Sequence, residues 1–304
     1  MADKTRFFIE GTMRFWLSIL MPILEKEGRT FRIVKNREGE VVSYSVLDEL
    51  NLKITITHKG LTIDNSLHKA FNKLNGVEGN HNYFGYKELY QILNYLSLKY
   101  QFNLKDAFIK KIELGVNVEV DKPSMDYINK MYSLSYTKPC DLMRNRNVVY
   151  GKKIFLSQYS IKLYDKSHQH YNQNGTRLDK QIIRYELEYN KMTSLKKYVV
   201  TLADLLDVDK YIGLTDLLSL KFSGLQFKEG YNIDMLTCKQ LEQYYAGLDY
   251  KFWKDLSKRN KSTLATRKRR FNHLIEVIQN YQDNKDSLSL ELRNKIRRAI
   301  YELV

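Results

Sequence analysis

The segment from Lys111 to Val120 constrains the fold more than any other, because apolar and polar residues alternate along its whole length. A period of two is typical of a β-strand with one buried face. The core face carries Ile112, Leu114, Val116, Val118 and Val120, and the other face carries Glu113, Gly115, Asn117 and Glu119. Asp121-Lys122-Pro123 ends the strand, since proline cannot donate to the ladder. The chain is therefore predicted to contain a sheet with a core on one side and a polar surface on the other.

The rest of the chain mixes strands and helices up to about residue 195 and is helical after it. Further strands are predicted at 31–35, 40–44, 52–57, 153–165 and 182–189, and helices at 86–100, 125–134, 200–206, 214–220, 239–244, 252–256, 263–281 and 290–303. Asn36-Arg37-Glu38-Gly39 between the first two of these strands suits a hairpin turn. The change of pattern predicts two regions, 1–195 and 196–304.

An excess of basic residues narrows the choice of partner. Fifty lysines and arginines against 35 aspartates and glutamates leave a net charge of +15 on 304 residues. Such a charge favours a polyanion, with nucleic acid ahead of acidic lipid. The alternative is a solvated basic surface that binds no partner.

Cysteine usage and hydropathy indicate the compartment. Cys140 and Cys238 lie far apart and fit neither a zinc spacing nor a disulfide framework, which favours a reducing cytoplasm. The apolar stretch 15–21 is too short to span a bilayer and has no signal-peptide cleavage pattern beside it. We expect a buried helix there, a cytoplasmic location and no membrane partner.

Tyr164 is one of 23 tyrosines, and its neighbours along the predicted strand distinguish it. By alternation, Lys162, Tyr164 and Lys166 share one face, whereas Tyr159 faces away. Two ammonium groups beside a phenol would bind a phosphate and stabilise a phenolate. Taken alone, the pattern also fits a tyrosine that only fills the core or the surface.

Two other predicted strands have acidic polar faces. Glu113 and Asn117 flank Gly115, whose missing side chain leaves room for another group, and Glu186 lies on the strand at 182–189. If the three strands share a sheet, these residues and Tyr164 converge. Carboxylate and amide oxygens suit Mg²⁺ or Mn²⁺, which polarises a scissile phosphate while an oxygen attacks in line. The alternative is an ordinary solvated outer face.

Four segments carry a family resemblance. Residues 112–117 resemble the Arg-Ile-Asp-x-(Ala/Gly)-x-(Asp/Asn) strand of rolling-circle replication initiators, and residues 161–166 resemble their Tyr-(Asp/Asn)-Lys segment. Residues 184–188 are similar to their Arg-(Phe/Tyr)-Glu strand. Residues 80–85 are similar to a Gly-His-Asn-x-Phe-Gly segment of the gene II proteins of filamentous phages. The segments follow the family's order.

The resemblance implies an α+β fold with a central antiparallel sheet flanked by helices, followed here by the mainly helical C-terminal region. It implies that 1–195 is a nicking domain in which Tyr164 becomes covalently attached to DNA, helped by Lys166. Glu113, Asn117 and Glu186 would bind Mg²⁺ or Mn²⁺. The partner would be origin DNA, single-stranded at the nick, and a host helicase is a further candidate.

This chain departs from the family pattern at two positions. Glu113 stands where the family usually has aspartate, which is conservative for metal binding. Gln169 stands where an acidic residue normally follows the tyrosine segment, which removes a charge. His168 and His170 superficially resemble the paired histidines of other nickases, but their middle residue is polar and they follow the tyrosine. His81 either assists the site or bonds within a turn.

Basic residues cluster between positions 258 and 270, with no acidic residue among them. They are Lys258, Arg259, Lys261, Arg267, Lys268, Arg269 and Arg270. An apolar stripe follows from Phe271, so we predict a helix whose basic start contacts DNA phosphates together with Lys162. The alternative is a charged, solvated helix.

The leading hypothesis is a plasmid or phage initiator that nicks one origin strand through Tyr164. It would leave a 5′ phosphate on the tyrosine and a 3′ hydroxyl that primes synthesis. The alternatives are a relaxase or transposase of the same chemistry, and a non-catalytic DNA-binding regulator. An RNA-binding protein is disfavoured because no RNA-binding module is apparent. Origin sequence and oligomeric state, monomer or dimer, stay open.

Overall fold

A computed structural model describes residues 1–136, 138–228, 233–234, 236–259, 261–280 and 287–304, without the side chains of residues 261, 279 and 280. The strands within these residues are β1 (Ala2–Glu10), β2 (Arg32–Lys35), β3 (Val41–Leu47), β4 (Lys53–Thr57), β5 (Gly60–Ser66), β6 (Ala107–Val120), β7 (Met131–Leu134), β8 (Lys138–Pro139), β9 (Asp141–Asn145), β10 (Val148–Phe155), β11 (Tyr159–Asp165), β12 (Gln181–Tyr189) and β13 (Leu225–Phe227). The α-helices are α1 (Met13–Lys26), α2 (Leu67–Leu74), α3 (Tyr86–Tyr100), α4 (Ser124–Ile128), α5 (Lys166–Asn174), α6 (Val208–Ser223), α7 (Cys238–Leu248), α8 (Tyr250–Arg259), α9 (Lys261–Asn280) and α10 (Leu288–Tyr301). Short 3-10 turns cover Leu104–Asp106, Met192–Ser194 and Ala203–Leu206.

Across the described residues, the strands form one large antiparallel sheet in the order β2-β3-β4-β5-β1-β6-β12-β11-β10-β9. A small second sheet joins β13, β7 and β8. The predicted fold class, an α+β fold with a central antiparallel sheet, flanking helices and a mainly helical C-terminal region, is confirmed. The three strands whose polar faces carry the candidate site are adjacent.

The apolar faces of the strands pack into one main core. Buried side chains of β6 share this core with those of α3, α6 and α10, such as Leu93, Leu214 and Ile296. A separate apolar cluster joins α7, α8 and α9 through Tyr244, Trp253 and Phe271. Helices after residue 195 therefore contribute to both cores, and the division at that residue stays a prediction.

Many of the predicted elements are present, and local contacts and backbone angles explain why they form at these residues. In the hairpin between β2 and β3, the Asn36 side-chain oxygen accepts from the backbone N–H groups of Glu38 and Glu40. Gly39 takes a φ of 86°, a conformation that glycine adopts without steric cost. The helix predicted over 86–100 is α3, with Leu89, Leu93 and Leu96 on its buried face.

Some predictions about elements are wrong, and one central strand was missed. The helix predicted over 125–134 ends with α4, and 131–134 form β7. The strand predicted over 153–165 is a hairpin of β10 and β11 joined at residues 156–158. The strand β1, at the centre of the sheet, was not predicted at all.

The apolar stretch 15–21 lies in α1, as expected, but the helix is amphipathic rather than fully buried. Trp16 and Leu20 are buried, whereas Phe15 and Met21 are exposed. Among the described residues, no helix combines the length and apolarity that crossing a membrane requires.

Candidate active site

A polar patch lies on the sheet face opposite the main core, where β6, β12 and β11 run side by side. Residues paired across β6, β12 and β11 form three rows in this patch. The first row contains Asn117, Arg184 and Tyr164, and the second contains Gly115, Glu186 and Lys162. The third contains Glu113, Glu188 and Ser160. The structure thus brings Glu113, Asn117, Tyr164 and Glu186 onto one surface. The alternation of each strand, together with the antiparallel register, causes this convergence.

Tyr164 lies near the end of β11 and is only 3% exposed. Its hydroxyl donates to Glu186 Oε1 at 3.3 Å. Its ring meets the ring of Tyr150 edge to face, with centroids 6.2 Å apart. Gly151 stands opposite it on β10 and provides the space for its side chain.

Gly151→Ala is expected to lower the free energy of unfolding by about 1–3 kcal/mol, because overpacking forces neighbours to move. The added Cβ would lie 2.4 Å from Tyr164 Cβ and 2.9 Å from the Leu163 carbonyl oxygen. Chemical denaturation measures the change. Gly224→Ala is the matched control, since its φ of −75° is helical and its new Cβ meets the flexible end of Leu134 at 3.1 Å. Equal stability of Gly151→Ala and the parent chain would contradict the close contact.

The phenol of Tyr164 is protonated in this arrangement. Burial, followed by the negative charge of Glu186, raises its pKa well above the ordinary value. We expected Lys162 and Lys166 to stabilise a phenolate, but the ammonium group of Lys162 contacts Glu186 and Glu188, and that of Lys166 contacts other residues. Deprotonation of Tyr164 therefore has to be coupled to the arrival of another group.

Arg184 connects the patch through its buried guanidinium group. Nε donates to Glu186 Oε1 at 2.7 Å, Nη2 to Asp3 Oδ2 at 2.6 Å and Nη1 to Asn117 Oδ1 at 2.9 Å. Burial acts to raise the pKa of both carboxyl groups, but the charge of Arg184 holds the pKa of Asp3 and of Glu186 below their ordinary values. Sequence reasoning missed Asp3, because β1 was not predicted, and gave Arg184 no role.

Glu113 is the least well-compensated carboxylate of the patch. Its Oε1 lies 3.7 Å from Lys111 Nζ and 4.0 Å from Lys162 Nζ. Burial, followed by the charge of Glu186, raises its pKa to about 7. Glu188, in contrast, forms ion pairs with Lys111 at 2.6 Å and with Lys162 at 3.0 Å.

The predicted metal ligands have suitable chemistry but do not fit a divalent cation as they are arranged. Asn117 Oδ1 accepts from Arg184, and the carboxylate of Glu186 accepts from Arg184, Tyr164 and Lys162. Among the described residues, no group of three or more His, Cys, Asp and Glu side chains has the spacing of a metal site. The positive charges that balance these carboxylates belong to Arg184 and Lys162. A requirement for Mg²⁺ or Mn²⁺ stays a prediction.

Lys166 is not on the strand face as predicted, because β11 ends at Asp165 and Lys166 begins α5. Asp165 caps this helix by accepting from the backbone N–H of His168 at 2.8 Å. The buried ammonium group of Lys166 donates to Asn80 Oδ1 at 2.6 Å and to Gln169 Oε1 at 2.8 Å. Burial, followed by the charge of Arg184, lowers its pKa to about 7.

The segment 80–85 borders the patch. Asn117 Nδ2 donates to the carbonyl oxygens of Asn80 at 2.9 Å and Asn82 at 3.1 Å. His81 packs edge to face on His170, with centroids 5.0 Å apart. On α5, His170 lies within hydrogen-bond distance of Thr176, and His168 stacks on Tyr150 at 5.9 Å. These contacts give the two histidines of α5 packing partners.

The described residues of the basic cluster lie at the end of α8 and in the first half of α9. Exposed side chains are Lys258, Arg259, Arg267, Arg269 and Arg270. Lys268 is partly buried and donates to the Ser135 carbonyl oxygen at 2.7 Å, and the Lys261 side chain lies outside the described residues.

No known family model matches the sequence, and no curated protein matches it. Among solved structures, the fold is similar to a rolling-circle replication initiator protein from Geobacillus stearothermophilus, with a TM-score of 0.42 and 13% sequence identity. The match covers 78% of this chain and 89% of that protein. This is the family that the four sequence segments resemble.

Proposed function

We propose that this chain is a DNA nickase and strand transferase that initiates rolling-circle replication, with Tyr164 as the nucleophile. One observation carries the proposal: the Tyr164 hydroxyl lies within a buried cluster of carboxylates and cations on the polar face of the sheet, bonded to Glu186. Perturbed ionisable groups grouped around one nucleophile are typical of catalytic sites.

In the proposed step, Tyr164 Oη attacks the phosphorus of a DNA phosphodiester. The bond from phosphorus to the 3′ oxygen breaks, the 5′ phosphate stays on Tyr164, and the 3′ oxygen leaves and takes up a proton. Glu186 is the proton acceptor for the phenol, because its Oε1 already accepts the hydrogen bond at 3.3 Å. At termination a 3′ hydroxyl attacks the phosphotyrosine, which reverses the step.

The two lysines have different roles in this proposal. Lys162 balances Glu186 and Glu188 and holds them beside the phenol. Lys166 donates only to neutral acceptors, Asn80 and Gln169, so an incoming phosphate would favour its charged form and pair with it. The departure at Gln169 therefore leaves Lys166 without an acidic partner at that position.

The basic cluster would supply phosphate contacts on double-stranded origin DNA, with affinity that falls as salt rises. Its exposed residues and the net charge of +15 support this role. A second candidate, a non-catalytic DNA-binding regulator, is favoured by one observation, the 3% exposure of Tyr164. A relaxase or transposase would use the same chemistry.

The test is covalent capture. The purified chain is incubated with single-stranded oligonucleotides from its replicon, with Mg²⁺ or Mn²⁺ and separately with a chelator. We expect a protein–DNA adduct that survives denaturation and, after digestion, a nucleotide attached to the peptide that contains Tyr164. DNA binding without any adduct under all of these conditions would favour the regulator. An adduct that persists with the chelator would contradict the predicted metal requirement and leave the nickase intact.

A further inference from the structure

Three aromatic rings and three lysines form a band on the polar face of the sheet, beyond the Tyr164 patch. The band consists of Phe8, Phe108, Lys110, Lys111, Lys153 and Phe155. Phe155 lies on β10 opposite Ser160, and Phe8 lies on β1 opposite Phe108. The band therefore crosses the sheet from β10 to β1, over a width of about 19 Å at the usual strand spacing.

Each ring of the band lies beside a lysine ammonium group. Lys153 Nζ is 4.4 Å from the centroid of Phe155, and Lys110 Nζ is 5.3 Å from Phe8 and 5.7 Å from Phe108. Phe155 is 61% exposed, whereas Ile154, the residue before it on β10, is buried. A nucleotide carries a flat base and a negatively charged phosphate. In each ring–lysine pair, the ring can stack on the base and the ammonium group can bind the phosphate.

The band is continuous with the candidate active site through Glu188. Lys111 and Lys153 from the band pair with Glu188 at 2.6 and 3.4 Å, and Lys162 from the patch pairs with it at 3.0 Å. Along β11, Ser160 beside the band and Tyr164 are about 13 Å apart at the usual rise per residue. A strand whose phosphate reaches Tyr164 would therefore reach the band within a few nucleotides.

A cavity of about 360 Å³ opens at the Phe108 end of the band. Its apolar lining includes Met192, Val199 and Val200, and Lys110 and Lys196 also line it. Apolar walls with cations beside them suit an unpaired base and its phosphate.

Lysine stems often cover exposed rings on protein surfaces without any ligand. Here, however, the pairs occur at both ends of one band that adjoins the patch containing the proposed nucleophile. We infer that this band binds an unpaired DNA strand, whose bases stack on Phe155, Phe8 and Phe108 while its phosphates contact the lysines. A duplex keeps its bases stacked inside, so the rings select a single strand. The choice of DNA rests on the proposed function of Tyr164.

The experiment measures binding without cleavage. Fluorescence anisotropy compares a labelled unstructured single strand of DNA, the RNA of the same sequence and a duplex, all with the Tyr164→Phe chain. Adding Phe155→Ala is expected to weaken single-strand binding about tenfold, within the range for loss of one stacked base, and to leave duplex binding unchanged. Phe155→Trp should restore binding. Tyr301→Ala, at a residue 88% exposed on α10 outside the band, is the matched control and should bind like its parent.

Equal single-strand binding by Phe155→Ala and its parent would overturn the inference, and so would equal weakening of single-strand and duplex binding. Tighter binding of RNA than of DNA would also overturn it. The result is separable from that of covalent capture. If Phe155→Ala loses single-strand binding and covalent capture gives no adduct, the band is supported and the proposed nickase activity is contradicted. If an adduct forms and Phe155→Ala binds single strands like its parent, only the band is contradicted.

Discussion

Replacement of Tyr164 by phenylalanine is expected to abolish the covalent DNA adduct, with at least about a 10³-fold loss of strand cleavage, because no attacking oxygen is left. The fold should persist. The variant loses one hydrogen bond of 3.3 Å to Glu186, whose Oε1 still accepts from Arg184 at 2.7 Å. A cost of about 1 kcal/mol in the free energy of unfolding is expected. Adduct formation is measured on denaturing gels, beside DNA binding by the same preparation.

Tyr159→Phe is the matched control for this substitution. Tyr159 stands on the same strand with its ring on the opposite face, where it packs on Tyr189 at a centroid distance of 5.1 Å. The Tyr159→Phe chain should therefore form the adduct at the parental rate. Full adduct formation by Tyr164→Phe would remove Tyr164 from the mechanism, whereas loss in both variants would indicate a general defect.

Strand alternation predicted the polar patch correctly, because the two-residue period assigns each side chain to a face. Glu113, Tyr164 and Glu186 were each placed on a polar face from their own strands. Their convergence also required β6, β12 and β11 to be neighbours, which depends on pairing between segments far apart in sequence. Local patterns carry little information on such pairing, and the family resemblance implied only a central antiparallel sheet.

The errors have local causes. Residues 131–134 are a short run with buried Met131, Ser133 and Leu134, and such a run fits a helix as well as a strand. Lys166 was assigned to a strand face by extending the alternation one residue too far. Asp165 is a residue that commonly begins helices, and its N-cap hydrogen bond ends the strand there.

The predicted metal site shows a different limit of prediction from sequence. Residue types at Glu113, Asn117 and Glu186 suit a hard cation, but the sequence does not reveal which partners saturate their oxygens. Arg184 donates to two of these three residues, and it also binds Asp3 from the unpredicted strand β1. Side-chain partners across a sheet follow from three-dimensional packing rather than from spacing along the chain.

Arg184→Met is expected to lower the free energy of unfolding by roughly 3–5 kcal/mol, because it leaves buried carboxylates without their counter-charge. Arg184 is 2% exposed, and both Asp3 and Glu186 depend on its charge for a pKa below the ordinary value. Lys180→Met is the matched control. Its pair with Glu119 at 2.7 Å is more than half exposed on both sides, so its loss should cost less than about 1 kcal/mol.

The deficit of Arg184→Met should depend on pH with a definite sign. In the parent chain, the lowered pKa values of Asp3 and Glu186 contribute stability above the unfolded pKa values of about 4, and this contribution is lost as pH falls toward the folded values. In the variant, burial raises both pKa values without the opposing charge of Arg184, so protonation on acidification relieves part of the penalty. Urea denaturation between about pH 7 and pH 4 should therefore show the two proteins converging. A difference below about 1 kcal/mol at neutral pH, or one that stays constant with pH, would show that Arg184 does not hold these charges in the folded chain.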